Sequence, residues 1–199
     1  MNADSRFLDE HSPVPGYAPL RVLGRNGSIV YLARRLRTGN IVALCVYENW
    51  CAKSVAPIFR ALSQIEHPNI MRVFDIGDLE SHQYFALEYF ETTLEQRISR
   101  SKFAAEDTLH IVASFISAIS FARKQGLIAT SFDPQHIEFE NSRPSLSSFS
   151  LIQEPPDIPA LSGFAAPEEL LGRSSSELID VYRIGAVAYA MLCGRPPVD

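Results

Sequence analysis

The sequence predicts an α+β fold in which a small β-rich part is followed by a mainly helical one. Three observations lead there. Short segments rich in Val, Ile and Tyr, separated by turn residues, fill the stretch from Tyr17 to Tyr89. Helical periodicity takes over in the second half, and only one helix interrupts the strands of the first. The chain has 199 residues, 46% hydrophobic and 21% charged, enough for one good-sized domain or two small lobes.

The elements follow in order. Met1 to Pro15 is polar with little apolar content and reads as a flexible N-terminal tail, not a leader peptide. Leu20–Leu23 and Ile29–Leu32 read as strands around the turn-rich Gly24-Arg25-Asn26-Gly27-Ser28. Thr38-Gly39-Asn40 punctuates a hairpin before a strand over Ile41–Tyr47. A helix over about Lys53–Glu66 ends before His67-Pro68-Asn69, and strands near Ile70–Ile76 and Tyr84–Tyr89 follow. Leu109, Val112, Ile116 and Ile119 then share one predicted helix face, with Glu106 and Asp107 suited to the positive end of its dipole. Strand-and-loop text fills Leu127–Leu151. In a last helix, opened by a Ser174/Glu177 capping box, Leu178, Ile179, Val181, Ile184, Val187 and Leu192 are apolar nearly all round, as in a buried helix. Gly194 and Pro196-Pro197 stop it.

Composition narrows the function classes. A net charge of −5 gives no broad pull toward nucleic acid or an anionic membrane. No run approaches the roughly 18 apolar residues of a membrane span. Cys45, Cys51 and Cys193 lack metal or redox spacing, so reduced thiols in a cytoplasmic setting are expected. Arg21, Arg25, Arg34, Arg35 and Arg37 cluster on the first strands. A solvated strand edge is the simpler reading, and a docking face for an acidic or phosphorylated partner is the other. Ser131, Asp133 and His136 are the residue types of a hydrolytic triad, but they lie too close on one loop for that geometry. A Cys45–His136 metal site has no motif behind it.

The order of segments from about Gly16 onward resembles a protein kinase of the bacterial Ser/Thr type. Leu23-Gly24 through Ala33 resembles the glycine-rich loop and second strand, and Val42-Ala43-Leu44-Cys45-Val46 the V-A-I-K strand. His67-Pro68-Asn69-Ile70 sits at the turn into the fourth strand, and Ala86-Leu87-Glu88-Tyr89 at the hinge. Gly126-Leu127-Ile128 with Pro134-Gln135-His136-Ile137 resembles the catalytic loop and its exit, and Ala166-Pro167-Glu168 is an intact A-P-E. The resemblance implies a bilobal fold. A small antiparallel β-sheet N-lobe with one helix would span 16–89, and a mainly helical C-lobe lacking its last helices would span 90–199.

The residues that phosphoryl transfer needs are replaced. Cys45 stands at the lysine of strand three, Ile58 at its partner glutamate, Ser131 at the catalytic base, His136 at the metal-binding asparagine, and Ser148 at the aspartate of D-F-G. No catalytic residue and no metal ligand is therefore expected. Losing one electrostatic stabiliser alone costs on the order of 10²–10³ in rate. The nucleotide pocket survives as a remnant: Gly24, Gly27, Ala43, Leu87, Glu88 and Glu138. Val30 lies six residues after Gly24, one fewer than the motif requires, and Glu138 puts an acid where the family has an apolar adenine floor. No cofactor is expected.

The resemblance makes Phe149, Glu168 and Asp180 structural anchors. Phe149 would form an apolar column with Val73 and Leu62, Asp180 would anchor the catalytic-loop backbone, and Glu168 would pair with an arginine from a later region than this sequence reaches. The expected function is a catalytically inactive pseudokinase, a protein-binding scaffold or allosteric regulator. It would engage a protein partner or a second copy through exposed C-lobe surface, without nucleic acid or membrane. The alternative is an atypical nucleotide-binding enzyme, or a nucleotide-responsive switch, on the same fold.

Overall fold

The computed structural model describes residues 14–25, 28–48, 57, 59–79, 82–129, 132–147, 151–152, 163–171 and 177–198. The chain divides into two units. The first takes in residues up to Glu66 and Arg72–Tyr89, and the second takes in His67–Met71 and Phe90–Asp199.

The first unit is a five-stranded antiparallel sheet in the order β1-β2-β3-β5-β4. Its strands are β1 (Tyr17–Arg25), β2 (Ser28–Arg35), β3 (Ile41–Glu48), β4 (Val73–Asp78) and β5 (His82–Glu88). The β2–β3 hairpin closes at Thr38-Gly39-Asn40 as expected, where Gly39 takes a φ of +77° and its N–H reaches the Arg35 carbonyl at 2.7 Å. Gly77 meets a different demand: a Cβ there would come within 2.3 Å of the Tyr84 ring. Period-two alternation sorts β3 between two layers. Val42, Leu44 and Val46 face a cluster with Val14, Tyr17, Tyr31, Ala33 and Ala86. On the other face, Phe85 stacks on Phe59 at 4.2 Å and meets Tyr47 edge-on at 5.5 Å. Phe59 belongs to α1, the helical run over residues 59–63. Val14, read from sequence as part of the tail, is fully buried in that first cluster, so the unit includes it.

The second unit carries α2 (Leu94–Arg100), α3 (Ala105–Lys124), α4 (Pro167–Leu170) and α5 (Glu177–Cys193). Two small ladders accompany them: β6 (Ile128–Ala129) with β9 (Leu151–Ile152), and β7 (Ile137–Glu140) with β8 (Arg143–Leu146). Asn141 and Ser142, both at positive φ, close the β7–β8 hairpin in two residues. His67–Met71 joins this unit because its backbone is tied to β8: Asn69 accepts from Leu146 N–H, Met71 donates to the Leu146 carbonyl, and Asn69 Nδ2 reaches Pro144 O.

Two helix faces differ from expectation. In α3 the buried stripe is Thr108, Ile111, Phe115, Ala118, Ile119 and Ala122, whereas Leu109 and Ile116 are 70% and 52% exposed. The helix has apolar residues on both sides, so spacing alone could not choose the face that packs against α5 and β8. In α5, Ile179, Ile184, Val187 and Met191 are buried, but Leu178, Val181 and Leu192 are exposed. Helices α2 and α4 have no counterpart in the sequence reading. A Thr93/Gln96 capping box, with both bonds at 3.3 Å, was the available signal for α2.

Candidate functional site

The site residues fall in both units. In the first unit, β3 carries Cys45 between Val30 of β2 and Phe85 of β5. The residue is 1% exposed, and burial pushes its thiol up to about 12. A neutral, weakly polar group therefore occupies the middle of the sheet. Ala43 pairs with Leu32 and Leu87, and Leu87 is buried. Glu88 ends β5, its N–H donating to Arg72 O at 2.9 Å and its carboxylate accepting from Arg72 N–H at 3.3 Å. Gly24 pairs with Val30 after an irregularity between Val22 and Gly24, and a Cβ there would meet nothing within 4 Å. Its strand neighbour Arg21 reaches the Tyr89 hydroxyl at 3.4 Å.

In the second unit, Asp133 caps a 3-10 turn, Pro134–His136, and accepts from the N–H groups of Gln135 and His136 at 3.1 and 3.3 Å. Both its oxygens lie 2.9 Å from His136 Nδ1. This hydrogen bond raises the imidazole's pKa, with burial opposing it and the charges of Asp133, Glu138 and Glu95 assisting. His136 is thereby locked in a short-range pair with a buried carboxylate. Two residues on, Glu138 sits opposite Ser145 in the β7–β8 ladder. Burial pushes the Glu138 carboxyl up to about 7, and His136 is the cation that opposes the shift. Ser145 is fully buried, and its hydroxyl has no hydrogen-bond partner among the described residues. Among the described residues, no three His, Cys, Asp or Glu side chains are grouped to hold a metal ion.

Of the three anchors, Asp180 is the one whose contacts the structure gives. Asp180, 5% exposed in α5, accepts from Arg123 Nε of α3 at 2.5 Å, while its Oδ1 has no partner among the described residues. Burial raises its pKa despite Arg123. Beside Glu168, Glu169 was not singled out from sequence. Its Oε2 accepts from Ala166 N–H at 2.8 Å and from Arg183 Nε at 3.0 Å, and its Oε1 takes Arg183 Nη2. The two side chains are 11% and 6% exposed, so this is a buried bidentate pair joining α4 to α5. Arg183, a guanidinium inside an otherwise apolar helix run, was the signal that something acidic must meet it. Gly27, Ile58, Ser131, Ser148 and Phe149 lie outside the described residues.

Comparison with known proteins follows the same lines. The chain is 28% identical over 185 residues to calcium/calmodulin-dependent protein kinase type 1B of human and of rat, covering 85% of this chain and 54% of each relative. It is also 28% identical over 151 residues to a Lactococcus lactis protein named "Probable serine/threonine-protein kinase PknB", covering 70% of this chain and 24% of that one. The chain thus spans about half the length of the first relatives and a quarter of the last. A family model described as the protein kinase domain matches residues 17–199, and the chain belongs to the protein kinase family.

Proposed function

We propose that this protein-kinase-like domain is catalytically inactive and acts as a protein-binding scaffold or allosteric regulator. The observation that carries the reading is Cys45. Kinase chemistry relies on charge placed in advance around the transferred phosphoryl group, and a strand-three lysine supplies part of it. Here that position holds a thiol 1% exposed and neutral up to about pH 12. Glu138 adds to the case, since an acid on β7 repels a polyphosphate whenever it ionises. His136, at the position of the metal-binding asparagine, is engaged by Asp133. The relatives are named as kinases, and the reading departs from those names on these residues alone.

Protein binding is supported by α5. Leu178 and Val181 are 73% and 67% exposed on one side of the helix, the kind of apolar surface that a protein partner or a second copy covers. A cytoplasmic setting fits the free thiols Cys45 and Cys193. Among the described residues, no helix is long and apolar enough to cross a membrane.

Thermal unfolding with and without millimolar ATP and Mg²⁺ tests the proposal. A ligand at 100 times its Kd stabilises the folded state by about 2.7 kcal/mol, an easily seen shift. The expected result is no metal-dependent shift and no transfer of labelled phosphate to a generic protein substrate. A clear Mg²⁺-dependent shift with transfer would overturn it.

A further inference from the structure

A cavity of about 480 Å³ opens in the first unit beside the β2–β3 turn, lined in part by Arg35, Asn40, Ser63, Gln64, Glu66 and Arg72. Its two guanidinium groups come from the end of β2 and from Arg72, just before β4, positions far apart in sequence. The Arg35 side chain is only 20% exposed, yet its nearest acid, Asp75, stands 3.9 Å away, beyond hydrogen-bond reach. Asp75 is already engaged, accepting from Tyr17 OH at 2.9 Å and from Ile76 N–H at 3.0 Å. Arg35 therefore keeps a largely buried fork of N–H donors beside a polar cavity, with no side-chain hydrogen bond among the described residues. A buried charge without hydrogen bonds is costly, and an oxyanion in the cavity relieves that cost. Arg72 pairs with Glu66 at 3.0 Å, but those side chains are 53% and 73% exposed, and an exposed pair of that kind holds weakly against a doubly charged competitor.

We propose that this cavity binds the phosphate group of a phosphorylated polypeptide segment, held between Arg35 and Arg72. Three features select that ligand. Two guanidinium forks around one cavity match a dianion with three oxygens better than a single carboxylate. The site is concave and Glu66 lines it, which disfavours a flat anionic membrane but admits one protruding group. β4 is an edge strand of the sheet among the described residues, and Val73 and Phe74 line the cavity, so an extended backbone has a strand edge to run along. The irregularity between Val73 and Asp75 keeps that pairing short and leaves the phosphate as the main anchor. Within the arginine cluster, Arg34 on the interior strand β2 and Arg37 in the following turn are exposed without lying on a sheet edge, while Arg35 lines the cavity. The inference is independent of whether the domain is catalytically active.

The test is a ¹⁵N-NMR titration of the chain with the capped peptide Ala-Ala-phosphoserine-Ala-Ala-Ala, its unphosphorylated form, and inorganic phosphate. Saturable shifts are expected at Asn40, Ser63, Gln64 and Arg72–Phe74 with the phosphopeptide alone, and inorganic phosphate should bind several-fold more weakly. Arg35→Gln and Arg72→Gln should each raise Kd about tenfold or more, because each removes a charge-assisted bond. Arg35→Lys should fall between, keeping charge without the fork. Spectral dispersion reports folding of each variant, and the exposed Arg72 carries the test if Arg35→Gln does not fold. Saturation that ignores both arginines overturns the proposal, as does inorganic phosphate binding as tightly as the peptide. Arginine-dependent sedimentation with phosphatidylserine vesicles, without phosphopeptide saturation, overturns it in favour of a membrane.

Discussion

Replacing Cys45 by lysine should damage the fold. Cys45 is 1% exposed, flanked in the sheet by Val30 and Phe85, with Phe59 stacked on Phe85. A lysine inserted there brings two costs. Overpacking the layer costs about 1–3 kcal/mol, and methionine at the same position incurs a similar part without charge. The second cost is ionisation. An unfolded lysine titrates near 10.4, whereas a fully buried one stays neutral at pH 7, so the lysine-minus-methionine difference at pH 7 is about 4–5 kcal/mol. The folded-state pKa is depressed, so the deficit shrinks as pH rises toward the unfolded value, to about 1 kcal/mol at pH 9.5. Urea denaturation of Cys45→Lys and Cys45→Met at pH 7 and 9.5 measures both numbers. If Cys45→Lys is unfolded at pH 7, recovery of the folded state at pH 9.5 reports the same term. A difference under 1 kcal/mol at pH 7, or one that does not change with pH, would refute the reasoning, because the lysine would then have found water or an acid.

Other predictions concern the second unit. Arg183→Met leaves Glu169, among the described residues, with the Ala166 N–H as its remaining partner, so stability should fall by about 3–5 kcal/mol in urea. Adding Glu169→Gln should return part of that loss, and strictly additive losses would count against a coupled pair. Glu138 has its carboxyl raised from 4.5 to about 7, so the native state holds the proton more tightly and wild-type stability should decline between those pH values. Glu138→Gln should flatten that slope and gain on the order of 2–3 kcal/mol at pH 8, as read by urea titration against pH. Asp133→Asn keeps a good capping side chain but removes the charge, so the His136 pKa should drop toward the ordinary value in an NMR titration. The stabilisation from that pair is full below the unfolded histidine pKa and is lost as pH rises through the raised folded value. The variant should lack that loss.

Much of the fold was legible because local chemistry and global topology agree. Val, Ile and Tyr runs punctuated by Thr38-Gly39-Asn40 could form little but a hairpin, and β3 lies where its composition puts it. The α3 face was misread because the helix carries two apolar stripes, and only contact with α5 and β8 selects the one through Ile111, Phe115 and Ala118. Helix α2 was missed although Thr93 and Gln96 announced it, since seven residues give periodicity too little length.

By itself, the sequence determined which chemical groups stand at the candidate positions: a thiol at Cys45, an imidazole at His136, a carboxyl at Glu138. Residue identity is one-dimensional information, and alignment to a motif reads it directly. Tertiary structure alone decided what those groups and their neighbours are. It buried Cys45 until its thiol is inert, raised Glu138 to about 7, and joined Glu169 to Arg183 and Asp180 to Arg123. It also turned one arginine of a surface cluster, Arg35, into a cavity with its nearest described acid 3.9 Å away. Burial and partner distance set these properties, and both depend on residues distant in sequence, which no local pattern records.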